Sequence, residues 1–194
     1  MTRTGALRLV HGSRGRLFVF GIVSTVIALA GGFLVVRSFR EGPYCAAKIG
    51  NQSYRLSVEQ ADNAKTIAAI GLQEGFPHHA VTVALAAALQ ESQLRNLPGG
   101  DRDSVGLFQQ RPSQGWGRPQ QLKNPRYAAA AFYRVLSHVS GWSTMSVTEA
   151  AQRVQRSATP RAYANWEAEA RVLARILTRE VSDMIVCHPR SSIL

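Results

Sequence analysis

The first 40 residues of this 194-residue chain contain no acidic residue, although six arginines lie among them. These arginines make up more than half of the net charge of +11. The rest of the chain has 17 basic and 12 acidic residues, which leaves it a net charge of 17 − 12 = +5. Most of the basic excess thus belongs to the N-terminal segment, and little of it remains to form a basic patch on a folded domain. The distribution therefore argues against a nucleic-acid partner.

Several catalytic and ligand-binding motifs are also missing. The sequence has no glycine-rich phosphate-binding loop and no Gly-x-Ser-x-Gly nucleophile elbow. Residues 101–106 begin like a calcium loop, but position 12 of that loop is Pro112, where a bidentate glutamate is required. His78 and His79 are adjacent, so they cannot share one helix face as metal ligands. We therefore expect no metal site and no other cofactor.

Residues 17–36 contain no charged residue, and about 20 apolar residues suffice for one helical crossing of a bilayer. Two arginines flank this run closely on each side. The positive-inside rule places the basic residues 1–16 in the cytoplasm and the rest of the chain outside. We predict a single-pass membrane anchor at 17–36. The alternative is a signal peptide cleaved near residues 28–30, Ala-Leu-Ala, which would release a secreted protein.

Only two cysteines are present, Cys45 and Cys187. Outside the cytoplasm an even number of cysteines indicates disulfide bonding, and two cysteines allow one pairing. The bond would tie the start of the exported domain to its last residues. On the chain-entropy model, closing so long a loop contributes about 4–5 kcal/mol to stability. The alternative is two unpaired thiols.

The exported part is predicted to be one mainly α domain, residues 57–194, behind a short irregular tether, residues 37–56. Hydrophobic periodicity and capping residues indicate five helices, and no strand longer than a few residues is expected. The second helix is apolar on every face and should be the buried centre. The first helix is expected from Val58, after the cap Ser57, to about Gly75, and the second over 78–92. The third begins at Pro125 after the cap Asn124. The fourth is expected over 146–158 with the cap Ser146, and the fifth from Thr159 to about residue 184.

Glu91 lies at the end of the apolar helix 78–92. A carboxylate that is partly removed from water has a raised pKa, so it can hold a proton near neutral pH. Such a carboxyl group can protonate a leaving oxygen and then act as a base, as the general acid of a glycosidase does. The alternative interpretation is a solvated glutamate at a helix end, next to a polar loop.

The residues after Glu91 have the composition of a sugar-binding cleft. Gly106 allows the backbone to approach a ligand closely, and amide side chains offer neutral donors and acceptors. Aromatic rings offer flat apolar faces for pyranose rings. The amides are Gln109 and Gln110, and the aromatic residues are Phe108, Trp116 and Tyr127.

Three stretches resemble motifs of the lysozyme-like superfamily, in particular soluble lytic transglycosylases and goose-type lysozymes. Residues 88–94, Ala-Leu-Gln-Glu-Ser-Gln-Leu, are similar to the first motif, in which a helix ends in Glu-Ser before a hydrophobic residue. Residues 104–109, Ser-Val-Gly-Leu-Phe-Gln, resemble the second motif, usually Gly-Leu-Met-Gln. Residues 162–165, Ala-Tyr-Ala-Asn, resemble the third motif, Ala-Tyr-Asn. The resemblance spans roughly residues 58–182 and implies a lysozyme-like helical domain.

The resemblance also implies a substrate and a mechanism. Peptidoglycan would be cleaved between N-acetylmuramic acid and N-acetylglucosamine, with Glu91 protonating the glycosidic oxygen and Tyr163 orienting Glu91. In lytic transglycosylases the substrate's own N-acetyl group and 6-hydroxyl complete the reaction, which leaves a 1,6-anhydromuramyl end. Resemblance and composition together predict the substrate-binding residues Ser92, Gly106, Leu107, Phe108, Gln109, Gln110 and Trp116.

The chain departs from the family pattern between the first two motifs. An Ala-x-Ser stretch is usual there, and residues 98–103, Pro-Gly-Gly-Asp-Arg-Asp, replace it. In the third motif Ala164 occupies the position of the asparagine. These departures bear on the product of the reaction more than on the fold.

Asp101 and Asp103 leave the reaction open between transglycosylase and hydrolase. A hydrolase needs a second carboxylate, and either aspartate could fold back toward Glu91 to activate water. Alternatively, the two aspartates pair with Arg102 or Arg95, or cap the next turn.

Two other classes of function fit the same sequence. The domain could be a non-catalytic cell-wall-binding or scaffold module that keeps a lysozyme-like fold. A DNA-binding membrane protein is suggested by the net charge alone, and it requires the domain to lie in the cytoplasm.

Overall fold

The computed structural model describes residues 42–178 and 185–189. The chain divides into two units, Met1–Arg40 and Glu41–Leu194, and all described residues belong to the second. The predicted membrane anchor at residues 17–36 lies outside the described residues. Within the described part of the chain, no helix is long and apolar enough to cross a membrane.

The described unit is mainly helical, as the sequence predicts, and it also contains a small antiparallel sheet. The helices are α1 Val58–Gln73, α2 His78–Ser92, α3 Pro119–Leu122, α4 Pro125–Ser137, α5 Val147–Gln155 and α6 Glu167–Leu177. The strands are β1 Tyr44–Ile49, β2 Gln52–Ser57 and β3 Ile185–His188. Short 3-10 turns lie at Pro112–Gln114, Trp142–Thr144 and Ala162–Trp166.

Helices α1, α4 and α5 begin at the capping residues that the sequence predicts. Ser57 accepts a hydrogen bond from the Gln60 N–H at 3.2 Å, and the Ser57 N–H donates to the Gln60 side chain at 2.7 Å. Asn124 accepts from a first-turn N–H of α4 at 3.0 Å. Ser146 accepts from the Glu149 N–H at 3.1 Å. Each cap satisfies a backbone donor that the first helical turn leaves unpaired.

The region after α5 is less regular than predicted. The sequence predicts one helix from Thr159 onward, but the structure has the 3-10 turn Ala162–Trp166 followed by the separate helix α6. α5 ends at Gln155, short of its predicted end, because Arg156 adopts a left-handed conformation with a φ of +52°. The 3-10 turn that results packs against both α2 and α5.

The prediction of an irregular tether over residues 37–56 is wrong from Tyr44 onward. β1 and β2 form an antiparallel hairpin joined by Gly50-Asn51. Each of these strands has six residues, so the expectation that no strand is longer than a few residues is also wrong. β3 pairs with the other edge of β1, which gives the strand order β2-β1-β3. Cys45 of β1 lies opposite Cys187 of β3, and the predicted disulfide joins them.

Helix α2 is the centre of the core, as predicted. Every residue from Ala80 to Leu89 is buried, and α2 packs against α1, α4, α5 and α6. Its many alanines let neighbouring helices approach closely and favour the helical conformation. Because its middle is covered on all faces, α2 reaches solvent at its ends, and the C-terminal end carries Glu91.

Candidate active site

The last turn of α2 is fixed by the residues that follow it. Gln93 and Leu94 adopt left-handed conformations, with φ of +53° and +58°, which end the helix. The Leu94 side chain then returns to the core, where it is fully buried. Ser92 donates a hydrogen bond from its hydroxyl to the Leu107 carbonyl oxygen at 2.7 Å, which ties the helix end to the second motif. Glu91 thus lies on a rigid support.

Glu91 is half-buried and accepts a hydrogen bond from the Tyr163 hydroxyl at 2.8 Å. Burial raises the Glu91 pKa and outweighs the hydrogen bonds from Tyr163 and Gln155, which lower it. Burial, followed by the nearby charge of Glu91, also raises the Tyr163 pKa, so that hydroxyl remains a donor at neutral pH. The pair therefore consists of an acid that protonates easily and a donor that stays protonated.

A cleft of about 440 Å³ has Glu91 in its wall, within the size range of small-ligand sites. Trp116 contributes an indole ring, and Tyr127 supports Trp116 by donating a hydrogen bond to its carbonyl oxygen at 3.4 Å. Most of the other lining side chains are polar. The predicted site residues that line the cleft are Glu91, Asp101, Gln109, Gln110 and Trp116.

The loop between α2 and α3 holds its shape through its own polar groups. Gly106 has a φ of +77°, and a Cβ atom there would clash with the Leu122 carbonyl oxygen. Gln109 accepts a hydrogen bond from the Ser104 hydroxyl at 3.0 Å and donates one to the Gly106 carbonyl oxygen at 3.1 Å. Gln109 therefore maintains the loop as well as lining the cleft.

Two of the predicted substrate-binding side chains belong to the core. Phe108 is 1% exposed, and its ring stacks on Phe132 with centroids 4.8 Å apart. The prediction that Phe108 offers a face to sugar is therefore wrong. The Leu107 side chain is fully buried as well. Gln110 lines the cleft but is 2% exposed, and it donates a hydrogen bond to the Ala128 carbonyl oxygen at 3.1 Å.

The two aspartates have different surroundings. Asp103 accepts hydrogen bonds from the Ser113 N–H at 2.8 Å and from Arg111 Nε at 2.6 Å. These contacts hold the Asp103 pKa well below its usual range, and the hydrogen bond from the Ser113 backbone has the largest effect. Asp101 lines the cleft with a 94% exposed side chain, and one of its oxygens lies 3.8 Å from Arg102 Nε. Of the two, Asp101 alone is among the residues that line the Glu91 cleft.

Sequence reasoning missed two residues near the C-terminal end of α2. Gln155, the last residue of α5, donates a hydrogen bond to the Phe108 carbonyl oxygen at 2.8 Å, lines the cleft with Glu91 and lowers the pKa of Glu91. Trp166 Nε1 donates to the side-chain oxygen of Gln90 at 2.8 Å. Both residues lie far from Glu91 in sequence and outside the three motifs, so no local signal marked them.

The arrangement combines a half-buried carboxyl group, a tyrosine donor, amides and an indole ring in one cleft. Such a set can donate and recover a proton beside a bound sugar. Among the described residues, no group of three His, Cys, Asp or Glu side chains could hold a metal ion. No protein-family model matches this chain, and no curated protein matches its sequence.

Proposed function

We propose that this protein cleaves the glycan strands of peptidoglycan, between N-acetylmuramic acid and N-acetylglucosamine. The observation that carries the proposal is the half-buried Glu91 at the end of α2, with its raised pKa and the hydrogen bond from Tyr163 at 2.8 Å. The motif resemblance around Glu91, Gly106 and Tyr163 supplies the substrate class. A lysozyme-like active site is the arrangement that best joins these features.

In the first step Glu91 donates its proton to the glycosidic oxygen, and the bond between this oxygen and C1 of muramic acid breaks. The negative charge that remains on Glu91 is stabilised by the Tyr163 hydroxyl. The carboxylate then accepts the proton of the muramic acid 6-hydroxyl as that oxygen attacks C1. The product is a 1,6-anhydro end, and no water is consumed.

Hydrolysis is the second candidate reaction, and Asp101 is the observation in its favour. Its exposed carboxylate lines the same cleft as Glu91 and could activate water for attack on C1. Asp103 does not support hydrolysis, because its carboxylate is bound by Arg111 and Ser113. Transglycosylation, which needs no second carboxylate, is therefore the preferred proposal.

The proposed location is outside the cytoplasm, with residues 17–36 as a membrane anchor or, alternatively, a cleaved signal peptide. The disulfide between Cys45 and Cys187 supports this location, because such bonds persist in oxidising compartments. Peptidoglycan lies in the same compartment, so substrate and proposed catalyst would meet there.

Mass spectrometry of digested peptidoglycan tests the proposal with the full chain and its Glu91→Gln variant. We expect products with 1,6-anhydro ends, lighter by one water than reducing ends, and a loss of at least about 100-fold in rate for the variant. Reducing ends would instead assign hydrolysis and bring Asp101 into the mechanism. Glycan binding without release of products by either protein would favour the non-catalytic module.

A further inference from the structure

Two more clefts adjoin the cleft that contains Glu91. The first, of about 420 Å³, shares Gln114, Trp116, Gln155 and Arg156 with the Glu91 cleft. The second, of about 500 Å³, also has Arg156 in its wall. Arg156 thus lines all three clefts. A ligand bound at Glu91 and longer than one sugar could continue past Trp116 into this extension.

The extension is positively charged. Arg134, Arg153 and Arg156 are among the residues that line its two clefts, and none of the lining residues is acidic. Arg153 has a partner, since it lies 3.5 Å from a Glu149 oxygen. Arg134 and Arg156 form no salt bridge with a described residue. Their guanidinium groups are therefore available to an anionic ligand.

The position of Arg156 is set by the backbone. Arg156 caps the C-terminus of α5 with a φ of +52°, and its N–H donates to the Gln152 carbonyl oxygen at 2.8 Å. The Gln152 side chain in turn donates to the Ser157 carbonyl oxygen at 2.9 Å, which fixes the chain on the other side of Arg156. A left-handed conformation is uncommon for a residue other than glycine, asparagine or aspartate. The arginine is thus held where the three clefts meet.

We propose that Arg134 and Arg156 bind carboxylates of the peptide stem that a peptidoglycan strand carries. This inference rests on the proposed function, because a strand bound at Glu91 presents muramic acid, to which the stem is attached, next to the extension. Guanidinium groups match carboxylates in charge and geometry. Val135 and Val139 in the same walls offer apolar contact to the methyl groups of alanine in the stem.

Binding to glycan strands tests the inference independently of cleavage. The Glu91→Gln full chain is titrated with strands that carry stems and with the same strands stripped of stems by an amidase. Adding Arg134→Gln and Arg156→Gln should raise the Kd for stem-bearing strands by about tenfold, since two charge-assisted contacts are lost. The loss should be several-fold smaller for stripped strands, and Arg134→Gln alone, at a residue that does not line the Glu91 cleft, should change the Kd for stripped strands by less than about twofold.

The matched control is Arg126→Gln with Arg175→Gln, which removes the same charge from exposed positions on α4 and α6 that line none of the three clefts. An equal loss of binding in this control would assign the effect to net charge and overturn the inference. An equal loss on stripped strands would also overturn it. The inference would also be overturned if a phosphate polymer competed with stem-bearing strands for binding and free stem peptide did not.

The proposed function can fail separately. If the wild-type chain releases no products but its binding to stem-bearing strands depends on Arg134 and Arg156, cleavage is wrong and the inference stands. If products appear and the arginine variants bind both strands normally, the inference alone is wrong. Thermal melts of the double variant that match the parent exclude misfolding as the cause of lost binding.

Discussion

Glu91 is held in a half-buried position where its charged form is poorly solvated. Because its pKa in the fold is above the unfolded value of about 4.3, ionised Glu91 destabilises the protein, and this penalty grows as pH rises through the folded pKa. Glu91→Gln removes the charge and keeps an acceptor for Tyr163. In calorimetry we expect the variant to have the higher Tm at pH 8, with the difference shrinking toward pH 4. A variant less stable than wild type at pH 8 would contradict this account.

Tyr163→Phe tests how the hydroxyl acts on Glu91. The hydrogen bond favours the carboxylate, so its loss should raise the Glu91 pKa further. A general acid works when protonated, and the alkaline limb of the pH–rate profile should therefore move to higher pH. Loss of a buried hydrogen bond should also cost about 1 kcal/mol in the free energy of unfolding. The pH dependence of glycan cleavage and denaturant titration measure the two effects.

Tyr133→Phe is the control for that experiment. The Tyr133 hydroxyl is also buried and donates to the Ile67 carbonyl oxygen at 3.1 Å, with no contact to Glu91. This variant should lose similar stability and keep the wild-type pH profile. If both variants shifted the profile equally, the effect of Tyr163 would be structural rather than electrostatic.

The contact between Glu91 and Tyr163 shows what residue-level prediction requires. The two residues are 72 positions apart, and neither helical periodicity nor capping residues can identify a pair at that separation. Only the motif resemblance placed the tyrosine over the acid. Gln155 belongs to no motif. Its position beside Glu91 depends on the packing of α5 against α2, which the sequence does not show.

At the scale of elements, the ion pair between Asp103 and Arg111 joins two residues eight positions apart within the loop between α2 and α3. The Asp103 pKa is lowered in the fold, so the pair stabilises the protein above the unfolded pKa of about 3.9, and the contribution is lost as pH falls below it. Asp103→Asn should therefore have a lower Tm than wild type at pH 7, and the difference should shrink as pH falls from 4 toward 2.

The control for this variant is Asp101→Asn in the same loop. Its carboxylate is almost fully exposed and makes only a 3.8 Å contact to Arg102, and such surface pairs contribute little to stability. Its Tm should follow that of the wild type at every pH. A constant difference between Asp103→Asn and wild type from pH 7 to pH 2 would show that the ion pair is not the cause.

Elements were predictable where side chains mark their ends. The caps Ser57, Asn124 and Ser146 define helix starts by a local hydrogen bond, which the sequence shows directly. The hairpin of β1 and β2 lacks a strong apolar alternation, because its inward residues include the small Cys45 and Ala47. The two-residue turn Gly50-Asn51 was the available signal, since glycine in such turns is typical of hairpins.

At the scale of the whole described unit, the sheet joins the first described strands to the last one. β1 is the first described element and β3 the last, so their pairing holds the two ends of the unit together beside α1 and α6. The Cys45–Cys187 disulfide spans 142 positions across this pairing. None of the residues that line the Glu91 cleft belongs to the sheet, so we expect the bond to act on stability rather than on the geometry of that cleft.

Cys45→Ser with Cys187→Ser should lower the free energy of unfolding by about 4–5 kcal/mol on the chain-entropy model, because the unfolded chain loses its longest constraint.

Without the disulfide, β3 should detach from the sheet before the rest of the unit unfolds, because only its four register pairs with β1 then hold it there. Hydrogen exchange should then show fast exchange in β3 and retained protection in α2. Cleavage that depends on Glu91 should persist at 25 °C and fail at a lower temperature than in the oxidised protein. Loss of protection in α2 under native conditions would instead make the disulfide a requirement for the core.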